Sequence, residues 1–188
     1  MNQTLVIAIV AILVIVAVAA MLAARRRRSQ HLKEHFGPEY ERAVEDTGSP
    51  SKAEAQLAER EKRVEKLNIR PLDRIERDDF LSRWSEVQAR FVDDPPRSVA
   101  FADALLGEVM KARGYPVSDF DQRAGDISVE HPRVVSHYRI AHEIAVRHER
   151  GEASTEDLRQ AMIHYRALFE ELVGTEETAS SREPEPAH

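Results

Sequence analysis

Cysteine is absent from this 188-residue chain, which excludes disulfides and thiolate metal sites and leaves the redox compartment open. The familiar catalytic signatures are missing as well. There is no P-loop, glycine-rich phosphate loop, nucleophile elbow or His-Glu-x-x-His. Each of those depends on fixed spacing, because amides, nucleophiles or ligands must converge on one point. The first 24 residues lack charged side chains, proline and Gly-x-x-x-Gly. No cofactor, no metal-ligand set and no catalytic residue is therefore expected, and an enzyme is disfavoured.

What those first residues contain is an apolar run, Leu5 to Ala24, closed by Arg25, Arg26, Arg27 and Arg28. Twenty helical residues at ~1.5 Å each match a hydrocarbon layer of ~30 Å, so the run is expected to be one transmembrane helix. Only the α-amino group precedes it, and the positive-inside rule then places the N-terminus outside and the C-terminal domain in the cytoplasm, at the plasma (inner) membrane. The four arginines are expected to lie on an anionic inner leaflet. Ala17-Val18-Ala19 and Ala23-Ala24 leave a cleavage reading open, although a signal peptide carries its positive charges before a shorter apolar core.

Residues 29–188 hold 23 of the 27 Lys+Arg and all 33 Asp+Glu, a net charge near −10. That balance repels phosphates, and no nucleic-acid partner is expected. The length allows one domain with a real core.

Gly37-Pro38 should break any polar continuation of the first helix, since the residue before proline leaves the α region and proline suits a first helical turn. A short helix to about Thr47 follows. Ser51-x-x-Glu54 has the capping-box form and opens a charged helix to about Leu67. Phe80, Trp84, Val87 and Phe91 recur at intervals of four, three and four, one face of an amphipathic helix. Asp93-Asp94-Pro95-Pro96 reads as its stop and as the cap of the next helix, whose inner face is Val99, Ala102, Leu105, Leu106, Val109 and Met110. Asp119, Asp121, Asp126 and Glu130 invite a calcium reading, but their spacing is not that of an EF-hand loop. A short helix over 118–124 capped by Ser118 explains the same residues.

The last two helices, Pro132 to about Glu149 and about Ser154 to Val173, form a hairpin around Gly151. They share an echo, His137-Tyr138-Arg139 and His164-Tyr165-Arg166, and antiparallel arms bring the tyrosines level. His137, Tyr138, His142, His164 and Tyr165 are thus the candidate cluster. In one reading the histidines, with a carboxylate such as Glu143, hold a metal or move a proton. In the other the tyrosines fill core space and the histidines border it. Spacing along one helix favours the second: His137 and His142 lie about 140° apart around it, and His137 and His148 about 16 Å apart along it.

The expected architecture is all-α: a transmembrane anchor (1–28), a charged helical stalk (29–71), a small soluble helical bundle (72–173) and a disordered acidic tail (174–188). Phe36-Gly37-Pro38-Glu39-Tyr40, Ala89-Arg90-Phe91-Val92-Asp93-Asp94-Pro95 and Arg150-Gly151-Glu152-Ala153-Ser154-Thr155 give the chain a resemblance to uncharacterised bacterial single-pass membrane proteins. The resemblance implies an anchored helical domain and carries over no activity or site residue. An anchored domain that binds a protein partner is the first functional expectation. A metal- or small-molecule-dependent enzyme using the histidine–tyrosine hairpin, and an envelope or stress structural protein, are the alternatives.

Overall fold

A computed structural model of the chain describes the backbone of residues 3–116 and 118–174, and within these the side chains from Ala11 onward. Among the described residues every regular element is helical: α1 (Gln3–Phe36), α2 (Pro38–Thr47), α3 (Pro50–Val64), α4 (Arg74–Arg90), α5 (Pro95–Arg113), α6 (Phe120–Glu130), α7 (Val135–Glu149) and α8 (Thr155–Gly174). The protein is all-α. The acidic tail expected to be disordered falls, beyond Gly174, outside the described residues.

The chain divides into two compact units, Met1–Ala58 and Glu59–His188. In the first, α1 runs unbroken through the arginines and stops at Phe36, because Gly37 sits at φ +49° and Pro38 starts α2. Leu32, Phe36, Tyr40, Ala43, Ala53 and Leu57 are buried. The Tyr40 hydroxyl donates to Glu54 Oε1 at 3.1 Å, and the Lys33 ammonium lies 5.4 Å above the Tyr40 ring. α3 begins at Pro50 rather than at a Ser51 cap.

One expectation does not stand. Among the described residues no helix is long and apolar enough to cross a membrane. The described side chains of α1 are apolar from Ala11 to Ala24, fourteen residues, or ~21 Å of helix against a hydrocarbon layer of ~30 Å, and four arginines follow at once. Leu5 to Val10, on which the expected span leans, lie outside the described side chains. The single-pass placement at the inner membrane with a cytoplasmic domain is corrected accordingly.

The second unit is built around a continuous apolar core. Asp73 opens α4 with a capping box: its side chain accepts from the Glu76 N–H at 2.8 Å, and Glu76 accepts from the Asp73 N–H at 3.0 Å. The helix buries Phe80, Trp84 and Val87. Trp84 stacks on Phe169 of α8 with ring centroids 4.5 Å apart. Asp94 caps α5 through the Arg97 N–H, and α5 buries Val99, Ala102, Leu105, Leu106, Val109 and Met110. α8 packs along both α5 and α7, which is why its Leu168, Phe169 and Leu172 are almost wholly enclosed. Side chains of that size stabilise the fold by roughly 1.5–3 kcal/mol each on burial.

The acidic stretch after α5 also differs from expectation. Its helix is α6, longer than 118–124, and the cap is Asp119, which accepts from the Gln122 N–H at 2.8 Å. Asp126 is 1 % exposed and accepts from Arg63 Nε at 2.7 Å, and Glu130 accepts from the Tyr115 hydroxyl at 2.7 Å. Three of the four supposed calcium ligands are therefore occupied by cap, ion pair and hydroxyl.

Candidate functional site

α7 and α8 run antiparallel around Gly151, and Ser154 starts α8 by exchanging hydrogen bonds with Asp157: its N–H donates to the carboxylate at 2.8 Å, and its hydroxyl accepts from the Asp157 N–H at 3.2 Å. The register sets Tyr138 and Tyr165 across from one another with ring centroids 6.2 Å apart and no exposed surface. Their hydroxyls point toward Asp103 of α5 and Arg123 of α6, which stand 3.8 Å apart. Burial first, and the Asp103 charge second, raise both phenols far above their ordinary pKa, while Arg123 pulls the other way. Tyr138 Oη, Tyr165 Oη, Asp103 Oδ1 and Arg123 Nε are all buried without a direct hydrogen bond among the described residues. This quartet draws one polar group from each of four helices. Neutral phenols held in such a place can donate a proton in a hydrogen bond but cannot act as bases near neutral pH.

One residue back along each arm, about 100° around each helix, the histidines turn to the hairpin's edge. His137 Nδ1 and His164 Nδ1 are 2.8 Å apart, with ring centroids 5.1 Å apart and planes inclined at 32°. Two facing ring nitrogens can share one proton, as donor and acceptor, but not two. Burial, and then the charge His137 takes on when protonated, lower the pKa of His164.

The third histidine of the candidate cluster is elsewhere. His142 lies flat on Phe120 of α6, with centroids 3.6 Å apart and planes 10° apart, as its angular separation from His137 requires. Glu143 is exposed. Among the described residues no group of three or more His, Cys, Asp or Glu is placed to hold a metal ion. Arg25 to Arg28 lie exposed along α1.

A second buried constellation has no counterpart in the sequence reading. Arg113, at the end of α5, donates from Nη1 to the Leu172 carbonyl at 3.0 Å, and the same nitrogen is 3.4 Å from His131 Nε2. Arginine only donates, so in the tautomer that satisfies both contacts Nε2 accepts from Arg113 and Nδ1 donates to Glu171 Oε1 at 3.0 Å. Beside it, burial and then the Glu130 carboxylate raise the pKa of the Tyr115 phenol. The group ties the ends of α5, α6 and α8 together and satisfies a terminal carbonyl of α8. Arg113 in the last turn of α5, and His131 before a proline, are ordinary helix-end residues by spacing. Only the fold shows that they meet.

Between α4 and α8 the surface forms a groove of about 250 Å³. Phe91, Met162 and Ile163 give its apolar part; Gln88, Arg159 and Arg166 border it. Arg159 is held by Glu156 through two bonds of 2.8 and 2.7 Å. Arg166 is exposed and makes no ion pair among the described residues.

Comparison with protein-family models, with curated proteins and with solved structures finds no match. The class is therefore given by the fold alone, an all-α protein whose second unit ends in an antiparallel helical hairpin, and no residue role is carried over from another protein.

Proposed function

We propose that the unit Glu59–His188 is a protein-recognition module whose α4–α8 groove takes a partner segment carrying a large apolar side chain next to a carboxylate. The observation that carries this reading is the apolar surface of Phe91, Met162 and Ile163 set between Arg159 and the exposed Arg166. Its volume is below the ~300 Å³ at which small-molecule sites usually begin, and suits one or two side chains. Apolar anchors with arginine beside them are the residues on which interface energy concentrates. The unit is otherwise acidic, so a local cationic border selects for charge as well as for shape. The alternative of an enzyme using the hairpin draws less support, because Tyr138 and Tyr165 have no exposed surface.

Selection of a random-peptide library on the full chain tests the proposal. Enriched peptides should pair Asp or Glu with a neighbouring Leu, Phe or Trp. Arg166→Glu should invert the charge preference, and Ile163→Asp should abolish enrichment. Peptides that bind both variants as well as the parent would refute the assignment of this groove.

A further inference from the structure

The histidine pair at the hairpin's edge supports an inference independent of the recognition groove. We infer that His137 and His164 form a two-histidine site for a late first-row divalent cation, with zinc as the representative ion. Imidazole is a preferred ligand of this class of ion, and it binds through a deprotonated ring nitrogen. Each arm presents Nδ1 to the other at 2.8 Å. On a tetrahedral ion at ~2.1 Å, two such nitrogens would stand about 3.4 Å apart and their ring centroids about 5.2 Å apart. The centroids are already 5.1 Å apart. The centroid separation thus already fits, and what must change is the ring orientation, which has to open the nitrogens from 2.8 Å to about 3.4 Å.

The proton now shared between the two nitrogens is what the ion replaces. It moves through solvent to the Nε2 of the histidine that carried it, leaving two neutral imidazoles with Nδ1 toward the metal. The protein supplies two ligands, and water completes the shell, since no third His, Cys, Asp or Glu is in place among the described residues. Such a site is open, with positions available to an exogenous carboxylate, imidazole or water.

His31 and His35 are the obvious rival. They lie four residues apart on α1, exposed, with rings stacked 5.8 Å between centroids, and i, i+4 is the usual spacing for two ligands on one helix. The test therefore follows thermal unfolding of the full chain against Zn²⁺, with Mg²⁺ as comparator, in the parent, in His137→Gln, in His164→Gln and in the His31→Gln/His35→Gln double variant. Zn²⁺ at tenfold over its dissociation constant should raise Tm by about 3 °C or more. The rise should vanish in His137→Gln and His164→Gln and persist in the double variant. Because a hairpin variant could fail to fold, imidazole proton resonances of the parent give a second reading. Zn²⁺ should shift or broaden those of His137 and His164 and spare that of His142. A rise that survives in both hairpin variants, that vanishes in the His31/His35 variant, or that Mg²⁺ reproduces overturns the assignment. So does a parent whose Tm and His137 and His164 resonances are unmoved by Zn²⁺.

Discussion

His164, facing His137 across the hairpin, makes part of the protein's stability sensitive to mild acid. Burial and His137 lower the pKa of His164 below its ordinary 6.5, so between 6.5 and the folded value the unfolded chain binds more protons than the native one. Stability contributed by this group is present above pH 6.5 and is lost as pH falls through the folded pKa. Chemical denaturation from pH 7.5 down to 5 should show a falling free energy that His164→Gln flattens; equal slopes in parent and variant would remove His164 from the account. One position further along each arm the expectation is opposite in kind. The Tyr138 and Tyr165 hydroxyls lie toward Asp103 with no close hydrogen bond among the described residues, and taking away a hydroxyl so weakly held costs little. Tyr138→Phe and Tyr165→Phe should each change stability by less than ~1 kcal/mol, whereas Tyr165→Ala, which also empties the space of a ring, should cost roughly 3–5 kcal/mol. A phenylalanine variant that loses ~2 kcal/mol or more in urea titrations would show that its hydroxyl is tied to the Asp103–Arg123 pair. The echo in the sequence made these residues visible as a set. It could not show that the histidines meet each other instead of a carboxylate, nor that Asp103 and Arg123 meet the tyrosines, because those partners come from separate helices.

At the scale of elements, ends were more legible than seats. The caps Asp94 and Ser154 act locally, within three residues of the amides they serve, and local chemistry is what a sequence displays. Ser118 and Asp119 are both competent caps, and only the backbone decides that Asp119 takes the amide. Glycines show the same division. Gly114 ends α5 at φ +101°, and a Cβ there would meet the Asn68 carbonyl oxygen at 2.3 Å. Gly114→Ala therefore combines left-handed strain with a backbone clash, and a loss of about 2 kcal/mol or more is expected in equilibrium unfolding. Gly125 lies inside α6, where the nearest atom to an added Cβ is Arg60 Nε at 3.4 Å. Gly125→Ala should instead stabilise by about 0.5–1 kcal/mol, through helix propensity, with Arg63 still reaching Asp126. If both alanines destabilise alike, the distinction between a backbone obstacle and a side-chain neighbour has no force here.

For the whole molecule, periodicity forecast an all-α chain correctly because four-three-four spacing survives any change in how helices are arranged. The expected membrane span does not stand, because among the described residues no helix is long and apolar enough to cross a membrane. Division into two compact units at residue 58 leads to a further expectation. Among the described residues the continuous core runs from Leu72 through Val173, and the partly buried neighbours packed against it begin at Leu67. A fragment of residues 59–188 thus retains every side chain of that core and is of a size that buries roughly two-thirds of its unfolded surface. It should unfold cooperatively. Trp84 is the sole tryptophan and stacks on Phe169, so fluorescence excited at the red edge of its absorption reports α4 against α8, while near-ultraviolet circular dichroism reports Trp84 together with the buried tyrosines. The fragment should give a single urea transition by both probes, coincident with far-ultraviolet circular dichroism, as a two-state domain does. Non-coincident transitions, or a fragment without a near-ultraviolet tryptophan signal, would mean that the core depends on residues before Glu59 and that the second unit is not a domain in the thermodynamic sense.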